Sequence, residues 1–374
     1  MMKIAIVSLS GSNSQHNCVT SLLKCLLEED NKIDFYLTKN YNNELGISNS
    51  NLTIIQIKKH PFLWSLFTGY LKNHKQTPYD YTIFLDNASL ILFPFISLIA
   101  EALLYFQLEI TDRQYCYTSL DKFHKFLEIY SIPKVRYLIT QDLWRAAYVS
   151  GEFKISIKKI VILPNSPIHT NGLSAKNFIR NKYGIKGDMK IVGYIGMIDQ
   201  YTLPEWLIEQ MTAISNVIFF FHTHKPEHPY FLKVKDRLSN IGIVSTNFYT
   251  SDILQKCYED IDIGLALGDY SGLLNKYTTI NQELSGYSYG KINWYLSFGK
   301  PVVYTQKISL SYLQDFKCGL AINCNDSFSD IIHEIINKYD LFSLNCLNYY
   351  KLNLSFEKAY YRYQEIFNEI KCMK

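Results

Sequence analysis

The sequence alternates short apolar segments with longer helix-forming segments, and it repeats this alternation after a polar stretch at residues 170–187. The first series begins with a β-branched run at residues 3–9, which a Gly/Ser-containing loop connects to an apolar helical segment at residues 19–27. The second series begins with a similar run at residues 190–195. Strands that alternate with helices form parallel sheets with helices on both faces. The sequence therefore predicts an α/β fold with two Rossmann-like domains.

The composition narrows the functional classes. The chain has 374 residues, of which 48% are hydrophobic and 19% charged, and this fits two folded domains. A net charge of +4 does not require a nucleic-acid partner, and none is expected. The eight Cys residues include no C-x-x-C pair, so we expect free thiols in a reducing cytoplasm. The apolar run at residues 3–9 is too short for a signal peptide.

Residues 88–106 form an apolar run that contains one charge, Glu101, and one proline, Pro94. The length of this run permits a membrane span. Buried helices of parallel-sheet domains have the same composition, so we expect a buried helix, with a membrane-touching helix or a true span as alternatives. The segment at residues 60–71, which is rich in aromatic residues, is expected to form a helix whose exposed side contacts an acceptor or a membrane.

Residues 286–304 predict a loop, a short helix, a helix stop and a strand. Ser288 and Gly290 precede a helix that is expected to begin at Lys291, and Gly299 is the expected left-handed stop. A helix start offers unpaired backbone N–H groups and the positive end of the helix dipole. A small residue lets a ligand approach, and the lysine adds a full charge. The combination suits a diphosphate, with an ordinary α/β turn as the alternative.

The same segment resembles the donor-site motif of GT-B glycosyltransferases, Ser-x-x-Lys-x-x-Glu-Tyr-x-x-x-Gly-Lys-Pro-Val. The matching residues are Ser288, Lys291, Tyr295, Gly299, Lys300, Pro301 and Val302. The family's ribose-contacting Glu is replaced here by Trp294, and its paired upstream Glu by Gly286. The resemblance implies that the ribose contact comes from Glu283 or from the main chain.

The resemblance implies further site residues in the first half. Gly11 would let the substrate approach the first loop. Glu109, at the end of a predicted strand, would bind the acceptor or act as general base, with a surface or helix-capping Glu as the alternative. Arg145 would contact a phosphate or an acceptor anion, or would pair with Asp142.

In the second half, the resemblance places Gly196 at the diphosphate and Tyr249 near the nucleobase. The Arg that is common after this glycine in glycosyltransferase family 4 is Met197 here. With Ser288 and the Gly290 backbone, Lys291 would bind the donor and neutralise the departing diphosphate as a catalytic group.

A metal site is not expected. His222 and His224 have the spacing of two ligands on one strand face, but no nearby carboxylate or Cys completes a set. We expect no cofactor, because in the family that the chain resembles the nucleotide sugar is a substrate and the diphosphate is held without metal.

These features predict a GT-B glycosyltransferase similar to family 4, with two Rossmann-like domains facing across a cleft. We expect an acceptor-side domain at residues 1–170, a nucleotide-sugar-binding domain at 186–350 and a helix at 355–374 that crosses back to the first domain. The expected reaction moves a sugar from a nucleotide-diphosphate sugar to a saccharide or lipid-linked glycan in cell-surface polysaccharide synthesis. The expected place is the cytoplasm or the inner membrane face, with peripheral membrane contact. A non-catalytic scaffold subunit and a sugar-nucleotide epimerase are the alternatives.

Overall fold

The computed structural model describes residues 1–9, 16–37, 47–56, 62–100, 102–113, 116–169, 177–187, 189–268 and 279–371. The chain divides into two compact units. The first unit comprises Met1–Ile168, Lys276–Ser288 and Ser355–Lys374, and the second comprises His169–Asn275 and Tyr289–Leu354. Gly11 lies outside the described residues.

Each unit is built on a sheet. The strands are β1 (Lys3–Ser8), β2 (Lys32–Leu37), β3 (Leu52–Gln56), β4 (Tyr81–Leu85), β5 (Leu103–Phe106), β6 (Tyr137–Thr140), β7 (Ile160–Ile162), β8 (Lys190–Ile195), β9 (Val217–His222), β10 (Gly242–Ser245), β11 (Ile263–Ala266), β12 (Val302–Thr305) and β13 (Gly319–Ile322). Seven described strands form the first sheet, in the order β3-β2-β1-β4-β5-β6-β7, and six form the second, in the order β10-β9-β8-β11-β12-β13. The pairing is parallel.

Helices connect these strands. They are α1 (Asn17–Glu28), α2 (Phe62–Gln76), α3 (Asp86–Ser89), α4 (Phe93–Ile96), α5 (Ser119–Ser131), α6 (Leu143–Phe153), α7 (Phe178–Tyr183), α8 (Glu205–Met211), α9 (Pro229–Ile241), α10 (Ser251–Asp260), α11 (Thr279–Glu283), α12 (Gly290–Ser297), α13 (Tyr312–Asp315), α14 (Phe328–Asn337), α15 (Tyr339–Tyr349) and α16 (Phe356–Lys371). The predicted α/β class with two Rossmann-like domains is confirmed.

Helices cover both faces of the first sheet. On β1, Ile4 and Ile6 pack in one apolar cluster with residues of α1 and α16. Ala5 and Val7, which point to the opposite face, pack in a second cluster with residues of α2, α5 and α6. Because both faces are buried, the strand is apolar along its length and does not alternate with polar residues.

The prediction of one buried helix over residues 88–106 is wrong. The chain forms α3, a 3-10 turn at Leu90–Leu92 and α4, and then enters the strand β5 at Leu103. Pro94 lies in the first turn of α4, where its missing N–H leaves no helical bond unmade. Within the described part of the chain, no helix has the length and apolar character needed to cross a bilayer.

The units also differ in detail from the expected ranges. Lys276–Ser288, which the prediction assigned to the second domain, lies in the first unit. The polar stretch at residues 170–187, where the linker between the domains is expected, contains α7, which Arg180 ties to the second unit through an ion pair of 2.8 Å with Asp262. The final helix, α16, packs its Phe356 and Tyr360 in the core of the first unit.

Candidate donor and acceptor sites

In the second unit, Lys291 lies at the carboxyl edge of the sheet. Gly196 follows β8, and its N–H donates to the carbonyl of His222, at the end of β9, at 2.9 Å. Lys291 is in the first turn of α12, and its ammonium lies 3.9 Å from the ring centroid of Tyr194 on β8. Ligands of parallel α/β sheets bind at this edge, so the fold brings the predicted donor residues Gly196 and Lys291 to a ligand-binding position.

The pKa of Lys291 is unusual for a lysine. Its side chain is only partly accessible, and burial lowers the pKa of its ammonium to about 7, against which the charge of Asp199 acts. No carboxylate in the described ranges forms an ion pair with it. Asp199 is held by main-chain N–H groups, because its Oδ1 accepts from Tyr201 at 2.9 Å and from Thr202 at 2.8 Å. A lysine whose pKa lies near 7 and that has no ion-pair partner is suited to bind an anion.

Gly196 makes room for this lysine. Its φ of 149° is in the region that side chains rarely adopt, and a Cβ at this position would lie 3.0 Å from the Lys291 Nζ. Any larger residue would both strain the backbone and crowd the ammonium. The glycine is therefore needed for backbone geometry and for access to Lys291.

The other motif positions serve packing. Tyr295 is buried against Gly264 of β11 and donates its hydroxyl hydrogen to the Gly193 carbonyl at 2.8 Å. Trp294, at the position of the missing Glu, stacks on Tyr258 of α10 with 5.3 Å between the ring centroids. Gly299 has a φ of 67°, which confirms the predicted left-handed helix stop.

Tyr249 and His222 form a polar-aromatic cluster at the same edge of the second sheet. Their rings stack with 4.4 Å between centroids. The Tyr249 hydroxyl receives hydrogen bonds from Ser245 at 2.9 Å and from Lys182 at 2.8 Å. Burial lowers the pKa of His222 to about 4, so this imidazole is neutral near pH 7.

In the first unit, Glu109 meets Arg145 and His16. The Glu109 carboxylate accepts a short hydrogen bond from Asn281 and lies 3.7 Å from the Arg145 Nη2 and 4.0 Å from the His16 Nε2. The Glu109 side chain is 49% exposed, whereas that of Arg145 is 2% exposed. Burial lowers the pKa of His16, although Glu109 acts against this shift. The cluster therefore presents an accessible carboxylate beside an imidazole, a pair that can take and relay a proton.

Arg145 holds this cluster together. Its guanidinium donates to the main-chain carbonyls of Leu284 at 3.0 Å and Leu108 at 2.7 Å, and to the Asn281 side chain at 2.7 Å. Asp142, the other partner considered from sequence, caps α6 by accepting from the Arg145 main-chain N–H at 2.8 Å. The guanidinium thus anchors residues 281 and 284 beside Glu109.

Ser288 and Gly290 occupy different structural settings. Ser288 ends a 3-10 turn in the first unit, where its hydroxyl donates to the Ser285 carbonyl at 2.6 Å and its carbonyl accepts from Asn165 at 2.9 Å. Gly290 is the first residue of α12, one residue earlier than predicted. Glu283, considered for the ribose contact, is exposed on α11 in the first unit.

Sequence reasoning missed His16, Asn281, Tyr194 and Asp199. His16 had a detectable signal, because it is in the loop between the first strand and the first helix. The others come together only through the register of β8 and through the return of residues 276–288 to the first unit. No group of three or more His, Cys, Asp or Glu residues is arranged to hold a metal in the ranges that the structure describes.

Solved structures share this fold over nearly the whole chain. A sucrose-phosphate synthase (tll1590) from Thermosynechococcus elongatus is 14% identical, with a TM-score of 0.72 and complete coverage of both chains. Alr3699/HepE from Anabaena, solved in complex with UDP, is 12% identical, with a TM-score of 0.69 over 98% of this chain and 100% of its own. A glycosyltransferase from Rickettsia africae ESF-5 is 14% identical, with a TM-score of 0.67 over 99% of this chain and 98% of its own. The chain therefore has the GT-B fold.

Sequence comparison adds no family assignment: no protein-family model and no curated protein matches the chain. Similarity to glycosyltransferase family 4 stays a prediction.

Proposed function

We propose that the protein is a glycosyltransferase that moves a sugar from a nucleotide-diphosphate sugar to a saccharide or lipid-linked glycan. The observation that best supports this proposal is the setting of Lys291. This lysine lies beside Gly196 at the carboxyl edge of a Rossmann-like sheet, has a lowered pKa and forms no ion pair with a described carboxylate. Solved proteins of the same fold bind UDP and UDP-glucose. A diphosphate supplies the anion that Lys291 lacks.

In the proposed mechanism, Lys291 acts on the leaving group. The diphosphate gains negative charge as the sugar bond breaks, and a nearby ammonium stabilises that charge most in the transition state. The N–H groups at the start of α12, including that of Gly290, would add to this stabilisation. Diphosphate binding would also raise the pKa of Lys291, because an anion favours the charged amine.

On the acceptor side, Glu109 is proposed to take the proton from the attacking hydroxyl. It is exposed enough to meet an acceptor, and His16 lies 4.0 Å from its carboxylate to share or relay that proton. The buried Arg145 is a positioning residue in this scheme. A role in cell-surface polysaccharide synthesis, at the inner face of the membrane and without a cofactor, completes the proposal.

An epimerase is the second candidate, because a Listeria monocytogenes protein assigned as a UDP-N-acetylglucosamine 2-epimerase shares the fold. An epimerase needs acid and base groups on both sides of one sugar carbon. The clusters of Lys291 and of Glu109 instead suit departure of a diphosphate and activation of an acceptor. A non-catalytic subunit is the third candidate, and it predicts no turnover.

Thermal unfolding with UDP, GDP, CMP and their sugar conjugates tests the donor site. Binding to the folded state raises the melting temperature by mass action. We expect one diphosphate to raise it, and we expect Lys291→Met to weaken the binding of that diphosphate by about 30- to 150-fold, because a charge-assisted contact of about 2–3 kcal/mol is lost. The matched control is Lys300→Met. Burial also lowers the pKa of Lys300, but this lysine precedes β12 at the amino edge of the sheet.

Turnover then separates the candidates. Glu109→Gln should lower kcat for glycosyl transfer by about 100-fold while leaving diphosphate affinity unchanged, since general-base catalysis contributes about 10²–10⁴-fold. Conversion of the sugar nucleotide without an acceptor would favour the epimerase. Absence of any nucleotide-dependent shift would contradict a donor site at Lys291 and favour the scaffold subunit.

A further inference from the structure

Helix α5 presents a band of large apolar side chains to solvent. We call this band the outer face of α5, and it consists of Leu120, Phe123, Phe126 and Tyr130, which are 59%, 44%, 60% and 42% exposed. The spacing of three and four residues places Phe123, Phe126 and Tyr130 on one side of the helix. Single exposed apolar residues are ordinary, but a contiguous aromatic band is characteristic of a contact surface.

The opposite side of the helix explains why these aromatic residues do not face the core. Lys125 is buried there and bonds to Glu128 of the same helix and to Glu152 of α6, each at 2.8 Å. Tyr105 and Gln107 donate to the second oxygen of Glu128, both at 2.9 Å. The core side of α5 is therefore partly ionic and its solvent side is aromatic, the reverse of a usual surface helix.

The outer face also lies in a basic part of the chain. Residues 113–159 carry nine Lys or Arg and four Asp or Glu, a net charge of +5, whereas the whole chain carries +4. The four acids have partners: Asp121 and Asp142 cap α5 and α6, while Glu128 and Glu152 bind Lys125. The exposed bases Lys122 and Lys134 form no ion pair among the described residues.

Lys134 shows how the basic and aromatic groups are combined. Its ammonium lies 3.1 Å from the ring centroid of Tyr130, at the end of the outer face. Lys122, between Leu120 and Phe123 in the helix, is exposed as well. Aromatic rings flanked by lysines match the boundary of a bilayer, where rings enter the headgroup layer and ammonium groups meet anionic lipids.

We propose that the outer face of α5 is a docking surface for an anionic lipid bilayer. Phe123 and Phe126 insert among the headgroups, Tyr130 lies at the polar boundary, and Lys122 and Lys134 bind anionic headgroups. The excess of positive charge selects a lipid surface over an apolar protein surface, because each lysine near such a membrane adds an attraction of its own. This inference does not depend on the proposed sugar transfer.

Sedimentation of the full chain with vesicles tests the surface. We expect binding to vesicles that contain phosphatidylglycerol, little binding to phosphatidylcholine alone, and loss of binding as the salt concentration rises. Phe123→Ser/Phe126→Ser and Lys122→Glu/Lys134→Glu should each weaken vesicle binding by about tenfold or more. Both double variants should keep the wild-type melting temperature and its nucleotide-dependent shift, because the residues that they replace are exposed.

Matched controls lie on helices of the second unit. Leu232→Ser/Leu344→Ser removes two exposed leucines, and Lys235→Glu/Lys351→Glu reverses two exposed lysines. Both should bind vesicles as the wild type does. Equal binding to neutral vesicles, or wild-type binding by the α5 variants, would overturn the proposal. A lipid-free dimer that Phe123→Ser/Phe126→Ser converts to monomer would also overturn it, by assigning the face to a second copy of the chain.

Discussion

Two enclosed lysines show how differently the two units use the same side chain. Lys125 in the first unit is 4% exposed and lies between two carboxylates at 2.8 Å. Lys291 in the second unit lies over the ring of Tyr194 and forms no ion pair with a described carboxylate. Burial lowers the pKa of Lys291 to about 7, because the charge of Asp199, which forms no ion pair with this lysine, offsets only part of the loss of water.

Burial alone therefore does not assign a role to a lysine. A buried lysine with carboxylate partners stabilises the fold, and its removal leaves those buried carboxylates without a counter-charge. A desolvated lysine without an anion costs stability, and such a cost is characteristic of a binding site. The two lysines should therefore respond to substitution in opposite directions.

The largest effect should come from Lys125→Met. The change leaves the buried Glu128 without its cation and leaves Glu152 only the Arg113 Nε at 3.7 Å, so we expect a loss of about 3–5 kcal/mol in the free energy of unfolding. Urea denaturation at pH 7 measures it. Lys122→Met, at an exposed position of the same helix, should stay within about 0.5 kcal/mol of the wild type. A similar effect of both substitutions would contradict a structural role for the buried ionic cluster.

The next effect concerns the pH dependence of diphosphate binding. Free Lys291 loses its proton above a pKa of about 7. Above that pH, binding of an anion to the charged form therefore requires Lys291 to take up a proton from solution. The dissociation constant should therefore rise by up to about tenfold for each pH unit above 7. Titration calorimetry from pH 6 to pH 9 measures this slope. Lys291→Arg, which stays charged throughout, should show a nearly flat profile, and an equal slope in both proteins would refute the assignment.

The smallest effect is a gain in stability. The folded-state pKa of Lys291 is about 7 and the usual value is 10.5, so the unfolded chain holds the proton more tightly between these values. The resulting penalty is complete below pH 7 and disappears as the pH approaches 10.5. Lys291→Met should therefore gain about 1–2 kcal/mol at pH 7, a discounted value because solvent reaches part of the side chain. A loss of stability on this substitution would show that Lys291 supports the fold.

The donor segment could be predicted because its signals are local. Gly299 ends a helix through its own backbone freedom, and Val302–Thr305 forms a strand through β-branched and aromatic residues. The strand–helix alternation likewise predicted the two parallel sheets. The prediction of one helix over residues 88–106 was wrong because apolar composition does not distinguish a helix from a buried strand. Pairing with β4 and β6 places Leu103–Phe106 in the sheet as β5.

The cluster around Glu109 could be predicted only in part. The family resemblance pointed to Glu109 and Arg145, but their contacts with Asn281 and Leu284 join positions far apart in the chain. The exposure of the aromatic side of α5 could not be predicted either, because its apolar residues at helical spacing face solvent and its buried side contains Lys125 and Glu128.

By itself, the sequence determined the elements whose causes are local: the alternation of strands and helices, the stop at Gly299 and the position of Lys291 at a helix start. Tertiary structure decided the electrostatics. The pKa of Lys291 depends on burial at the sheet edge, and the pairing of Lys125 depends on where α6 places Glu152. The physical reason is that backbone preference acts over a few residues, whereas desolvation and charge depend on every group that folding brings close.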